Sequence, residues 1–254
     1  MSLVKSLWIA LAMYSRIPVP RVEWTEQDMK YALCFFPAVG AAEGILFVSV
    51  WLVLEQAGFG VLFQSAILTA VPILVTGGIH MDGFLDTMDA LSSWQPKERK
   101  LEILKDSHTG AFAIIGGVTY FILYLGAASE ISEFRTAMMT GMGFVLSRIL
   151  SAGALVTLRG AKKDGMAYAF MSAAHKQITR SVLAAQLLLV IAVMCRYWLM
   201  GALAMLILAA GTWLYYRHMS YKEFGGITGD LAGFFLQVCE LLMIFGAVTA
   251  ERLF

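Results

Sequence analysis

Cysteine is scarce: Cys34, Cys195 and Cys239 are the only three in 254 residues, an odd number with no CxxC spacing, which argues against a disulfide framework and a zinc site. Each lies in an apolar stretch and reads as a small packing residue. Charge is scarce too. Only 15% of residues are charged and the net charge is +1, so the basic field that nucleic-acid binding needs is missing, and no low-complexity tract suggests a disordered arm. Apolar side chains take up the balance, 59% of the chain at a mean hydropathy of +0.72. That composition lies outside the range of a soluble domain. It predicts an all-α, polytopic helical bundle in a lipid bilayer, with residues 1–254 as a single integral membrane domain.

Runs long enough to cross the bilayer fall at roughly 31–55, 60–90, 110–129, 135–158, 181–196, 199–216 and 231–249, giving about seven transmembrane helices. The opening "MSLVKSLWIALAMYSRIPVP" starts as a signal peptide does, with Lys5 before an apolar run, yet Arg16, Pro18 and Pro20 stand where a cleavage site belongs. Its apolar part is shorter than the roughly 20 residues a span needs, so it reads as a short interfacial or re-entrant helix. Lysine and arginine fall mainly in alternate loops. One set holds Lys5, Arg16, Arg21 and Lys30; Lys97, Arg99, Lys100 and Lys105; Arg159, Lys162, Lys163, Lys176 and Arg180; and Arg217 and Lys222. The other set has Arg135, Arg196 and Arg252. Positive charge marks the cytoplasmic side, which predicts a multi-pass protein of the cell inner membrane with its N-terminus inside and its C-terminus outside.

In that topology the unusual polar residues share the cytoplasmic face, as expected of an enzyme rather than of a carrier with a midplane site. The stretch "GGIHMDGFLDTMDA", residues 77–90, places Asp82, Asp86 and Asp89 within about 60° of arc on a helix. Read as the end of one long second span, these acids also meet the negative end of the helix dipole, unless the helix breaks at Gly83. Repulsion at i, i+3 and i+4 calls for a cation, and oxygen-only ligation suits Mg²⁺. For any one of the three, a plainly solvated carboxylate is the ordinary alternative. His80 offers a hydrogen bond to a carboxylate, without a zinc pattern around it.

Asp106 in "LKDSHTG" and Asp230 in "GGITGD" lie in short loops before apolar helices. Each reads either as an N-cap, a role Ser107 also fits, or as part of a site; the "GGITGD" backbone can also approach a phosphate at a helix N-terminus. Arg148 sits about 15 Å inside the fourth span and needs an anionic partner: the acidic cluster, a substrate phosphate or Glu240. Glu43 is another intramembrane acid, with no partner evident from the sequence. Arg159, Lys162 and Lys163 suit either phosphate contacts or topology alone.

The segments "GGIHMDGFLDTMDA", "LEILKDSHTGAFA", "SR" at 147–148 and "GGITGD", with "MYSRIPVP" and "FFPAVG" before them, resemble the cobalamin synthases, adenosylcobinamide-GDP ribazoletransferases, in order along nearly the whole chain. Glu43 and "GAFA" depart from that pattern. The resemblance implies a Mg²⁺-dependent membrane transferase that joins adenosylcobinamide-GDP to α-ribazole or its 5′-phosphate and releases GMP. It implies metal ligation by Asp82, Asp86 and Asp89, and functional positions at Asp106, Arg148 and Asp230. Asp230 is then a further ligand or the general base, Asp106 the other base candidate, and Arg148 and Lys105 steady phosphate charge. Expected substrate contacts are Lys105, Ser107, Arg159, Lys162, Lys163, Gly226 and Thr228. Phosphoryl transfer needs mainly positioning and charge stabilisation, which such residues supply. A CDP-alcohol phosphotransferase and a cation carrier are the alternatives, although the DxxDG…AR spacing of the first is missing. A homo-oligomer, or a complex with other enzymes of the pathway, is left open.

Overall fold

Backbone N–H and C=O groups inside a bilayer must find partners within the protein, and a helix pairs them within one segment. The computed structural model describes residues 3–106 and 108–254, so the expected substrate contact Ser107 lies outside the described residues. The helices are α1 (Leu3–Tyr14), α2 (Glu26–Met29), a 3-10 turn (Ala32–Phe35), α3 (Phe36–Gln56), α4 (Val61–Thr76), α5 (Ile79–Ser92) and α6 (Lys97–Ile103). They continue with α7 (Ala111–Ser129), α8 (Phe134–Thr157), α9 (Gly165–Ala173), α10 (Lys176–Tyr197), α11 (Leu199–Phe224) and α12 (Gly229–Leu253). Among the described residues the only β pairing is an isolated parallel bridge between Gly160 and Ile227.

Six segments are long and apolar enough to cross a membrane, or seven when the bent pair α4–α5 counts as one span. The chain is a multi-pass membrane protein. Its spans match the apolar runs of the sequence to within a few residues, except that α10 begins at Lys176 and α11 continues to Phe224. Helices α8 and α12 form the centre, with 78% and 83% of their spanning windows buried, whereas α10 is only 17% buried and presents most of its surface outward. Of the cysteines, Cys34 and Cys239 are buried and Cys195 is partly so; none forms a disulfide.

The second apolar run is not one helix. Gly77 and Gly78 adopt left-handed φ of +65° and +81°, which ends α4 and turns α5 through 96°. The break therefore falls before the acids and not at Gly83. Arg16 locks it from outside: its backbone N–H donates to the Val75 carbonyl at 2.7 Å, and a Cβ on Gly77 would lie 2.3 Å from Arg16 Nε. Asp82 consequently stands in the first turn of α5, where the helix dipole favours a carboxylate. The dipole conflict expected from a continuous helix does not arise for this residue.

Helices in lipid gain little from hiding apolar faces against each other, so close packing depends on small residues. Gly40 and Gly44 on α3 supply it against α8. A Cβ on Gly44 would sit 2.4 Å from the Gly141 carbonyl oxygen, and one on Gly40 would sit 2.3 Å from that of Phe144. At the N-terminal end, α1 packs against α2 and α3, with Ser6 Oγ donating to the Asp28 carbonyl at 2.7 Å. This short helix is thereby held against the bundle, and its last residue, Tyr14, reaches the neighbourhood of α5.

The Gly44 contact generates a test. Gly44→Val should force α3 and α8 apart at an overpacking cost of about 1–3 kcal/mol. The thermal midpoint of the detergent-purified protein should fall accordingly. Gly153→Ala, on the same helix α8 but with no described atom within 4 Å of the added carbon, should leave the midpoint unchanged or slightly raised.

Candidate active site

Two glycines bring α5 and α12 into backbone contact. A Cβ on Gly83 would lie 2.7 Å from the Asp230 carbonyl oxygen, and one on Gly233 would lie 2.8 Å from that of His80. The contact sets Asp82 and Asp230 on one cavity of about 350 Å³, walled also by the end of α1, the loop after α6 and the start of α9. Of the sequence candidates, Asp82, Lys105, Lys162, Thr228 and Asp230 line it. So do His80, Tyr14 and Asp164, which carried no assigned substrate role in the sequence reading.

Thr228, and not Asp230, is the N-cap of α12. Its Oγ1 accepts from the Leu231 N–H at 3.2 Å and donates to Asp230 Oδ2 at 3.3 Å, so the cap also orients the acid in the second helical position. Across the cavity Lys105 Nζ pairs with Asp164 Oδ2 at 2.7 Å, and Lys162 Nζ donates to the Leu101 carbonyl at 2.8 Å. Partial burial lowers the Lys162 pKa from the usual lysine value, with the Asp230 charge opposing that shift and Lys105 adding to it. Asp164 is held below the usual carboxylate range, chiefly by its hydrogen bond to Lys105. The mouth thus offers two cations facing two acids, Asp82 and Asp230, that make no ion pair among the described residues.

Several candidates are placed elsewhere. Asp89 turns to α7, accepting from the N–H groups of Gly110 at 2.6 Å and Ala113 at 2.8 Å, and so caps that helix from a neighbouring one. Asp106 does not provide that cap, and no other local side chain among the described residues does. Asp106 is exposed and bonded to the His108 N–H at 3.0 Å, the main cause of its lowered pKa, and it does not line the cavity. Arg159 donates to the Gly225 carbonyl at 3.0 Å, while Lys163 is exposed at the loop surface. Gly226 serves loop packing: a Cβ there would lie 2.6 Å from the Arg159 carbonyl oxygen, beside the bridge that joins the two loops. Arg148 is fully buried and away from the cavity. Its guanidinium binds Glu43 Oε2 at 2.7 Å and also Glu240 Oε1, tying α3, α8 and α12 together. The partner missing for Glu43 is therefore Arg148, and of the three anions considered for Arg148 it is Glu240 that it meets. Among the described residues the deep acids Glu43 and Glu240 close on Arg148 in this triad, with no ladder of acids such as a cation carrier would use.

A family described as cobalamin-5-phosphate synthase matches residues 6–248, a stretch that contains every wall of the cavity. The chain belongs to that family. It is 44% identical to an adenosylcobinamide-GDP ribazoletransferase of Lachnoclostridium phytofermentans, covering 99% of this chain and 96% of the relative. It is 32% identical to the protein of the same name from Clostridium botulinum strain Alaska E43, with 97% and 98% covered, and 31% identical to that of Desulfitobacterium hafniense, with 96% of each covered. No solved structure matches the chain. As a member of the cobalamin synthase family, the protein is a transferase of cobalamin synthesis.

The donor set for a hard cation in this family member is narrower than the motif suggested. Asp86 lies one turn beyond Asp82, disfavoured as an anion first by its partial burial and then by the charges of Asp82, Asp230 and Asp89, a repulsion that a divalent cation would relieve. Yet among the described residues no three His, Cys, Asp or Glu side chains converge on one point. Asp89, with both oxygens on α7, is the member that leaves the set. The two carboxylates left on α5, Asp82 and Asp86, would suit Mg²⁺, which keeps several waters, better than an ion that needs a closed protein cage.

For the triad, Arg148→Ala should leave two buried carboxylates unpaired at a cost of about 3–5 kcal/mol. The thermal midpoint should then drop by about 10 °C. The isosteric triple variant Glu43→Gln, Arg148→Met, Glu240→Gln should recover most of that drop in a detergent melt. A phosphate-binding Arg148 would instead lose activity with the midpoint unchanged.

Proposed function

We propose that this transferase moves the adenosylcobinamide phosphate group from adenosylcobinamide-GDP to α-ribazole or its 5′-phosphate, with Mg²⁺, at the cytoplasmic face of the cell inner membrane. The observation that carries the reading is the cavity in which Asp82 and Asp230 face Lys105 and Lys162. The names of the relatives support the substrates, and the lysine and arginine bias of the loops supports the orientation.

In this reaction a hydroxyl oxygen of the acceptor forms a bond to the phosphorus next to the aminopropanol arm. The bond from that phosphorus to the bridging oxygen breaks, and its electron pair leaves with GMP. Asp230 takes the hydroxyl proton, since of the two base candidates it alone lines the cavity and is oriented there by Thr228. Lys105 and Lys162 hold the pyrophosphate oxygens as charge shifts towards GMP. Asp82 and Asp86 would hold Mg²⁺ together with water, and its charge would stabilise the leaving phosphate. Asp106, outside the cavity with a lowered pKa, is the weaker base.

Inverted membrane vesicles supplied with adenosylcobinamide-GDP, α-ribazole and Mg²⁺ should release GMP, whereas right-side-out vesicles should not. Asp82→Asn and Asp230→Asn should each lower kcat by about 100-fold or more, and Asp106→Asn should change it by less than about threefold. No metal-dependent GMP from inverted vesicles would overturn the assignment.

The lowered pKa of Lys162 gives a pH signature. Its charged form is what binds phosphate, so the interaction is complete below the lowered pKa and is lost as pH rises through it, short of the ordinary lysine value of 10.5. KM for the donor should rise on that alkaline limb. Lys162→Arg, charged throughout this range, should remove the limb while keeping neutral-pH activity.

A further inference from the structure

The cavity has two chemically different ends. Asp82, Lys105 and Asp164 are exposed at its mouth, whereas its floor is closed by Phe36, Leu155 and Leu236, all buried. Two polar side chains are built into that apolar floor. His80 is 4% exposed and Ser151 is 1% exposed, and neither the two ring nitrogens of His80 nor the Ser151 hydroxyl has a hydrogen-bond partner among the described residues. Buried polar groups are nearly always paired, so each of these calls for a partner from within the cavity. The imidazole is also held in place. Tyr14 stacks on it with ring centroids 6.3 Å apart and planes 29° apart, and Phe36 meets it edge-on at 5.9 Å.

Size decides which substrate reaches this floor. About 350 Å³ lies at the lower end of small-molecule pockets, which run to roughly 1,000 Å³, and a corrin macrocycle carrying two nucleotides exceeds it. In an in-line displacement the nucleophile enters opposite the leaving group. With the pyrophosphate between the lysines and acids of the mouth, corrin and leaving GMP lie outward, and the small acceptor is the one that fits inward.

Resting on the ribazoletransferase reading above, we propose that the floor of the cavity is the acceptor subsite. The flat heteroaromatic base of the acceptor lies against the wall formed by Tyr14, Phe36 and Leu236. His80 donates a hydrogen bond to its free ring nitrogen, and Ser151 bonds the acceptor beside it. His80 is a positioning and specificity residue here and takes no proton from the reacting hydroxyl.

The test measures GMP release by the detergent-purified full chain at saturating adenosylcobinamide-GDP, with acceptor concentration varied, alongside equilibrium dialysis of α-ribazole without donor. His80→Phe should raise KM for α-ribazole by about tenfold or more, with kcat and the donor KM within about threefold; His80→Asn should recover part of the loss. An α-riboside whose free ring nitrogen is replaced by CH should be rejected about tenfold by the wild type and not by His80→Phe. Ser151→Ala, which removes a hydroxyl with no described partner, should raise the acceptor KM without lowering the thermal midpoint. GMP release with an unchanged acceptor KM in both variants, or a loss of kcat with both KM values intact, would overturn the subsite alone. Wild-type protein that binds α-ribazole in dialysis yet releases no GMP would overturn the transfer reading alone.

Discussion

Backbone contact between α5 and α12 is the constraint on which the site depends. In lipid no hydrophobic force presses two helices to a set distance, so separation is fixed by what the smallest residues allow and by polar bonds between helices. Gly83 against Asp230 and Gly233 against His80 let the two backbones touch. Everything chemical follows from that closeness: Asp82 and Asp230 come to share one cavity, and the His80 ring is turned into its floor. The same economy of side chains recurs where the Gly226 backbone meets that of Arg159 to Ala161. The bridge formed there carries Lys162 over the start of α12.

Helix α12 is the member common to the site and to the ion triad. Asp230 and Glu240 are ten positions apart, about 15 Å along the axis. At one point the helix is gripped by glycine contacts with α5, at the other by Arg148 from α8, which also holds Glu43 on α3. A buried charge is expensive, and its removal from the triad more so than its presence. What the triad contributes is register. An axial slip of α12 that displaced Asp230 would also separate Glu240 from Arg148, so the costlier contact holds the cavity contact in place.

Span positions were legible from the sequence because apolar length alone decides them, and the all-α class followed. The acidic motif was legible as a cluster of carboxylates but not as geometry. A projection at 100° per residue puts Asp82, Asp86 and Asp89 on one arc, yet it cannot show that the N-terminus of α7 meets that arc at Asp89 and uses both of its oxygens. The turn at Gly77 and Gly78 was written in the sequence as "GG", and reading through it reversed the dipole argument for Asp82. Arg148 was legible as a residue in need of an anion; identifying Glu43 and Glu240 required knowing which helices adjoin, which no local pattern encodes. Tyr14 was the least accessible contributor. It belongs to a helix too short to span and reaches the cavity only through long-range packing against α2 and α3.

The division of labour along α5 explains how one short helix serves both fold and chemistry. Residues at i, i+4 and i+7 share one arc but are spread over about 10 Å of the axis, so successive acids address different neighbours. Asp82 points to the cavity shared with α12, Asp86 lies between the charges of both sides, and Asp89 is consumed by the cap of α7. Capping fixes the far end of α5 while the Gly83 contact fixes its near end, leaving the helix little freedom to relax away from its own repulsion. Charge held in that way is already arranged for a reaction in which positive and negative groups must be waiting where charge develops. The floor of Phe36, Leu155 and Leu236 strengthens each of those interactions by lowering the local dielectric. Packing the site against the core of a membrane bundle thus supplies an apolar floor that a shallow groove on a water-exposed surface would lack.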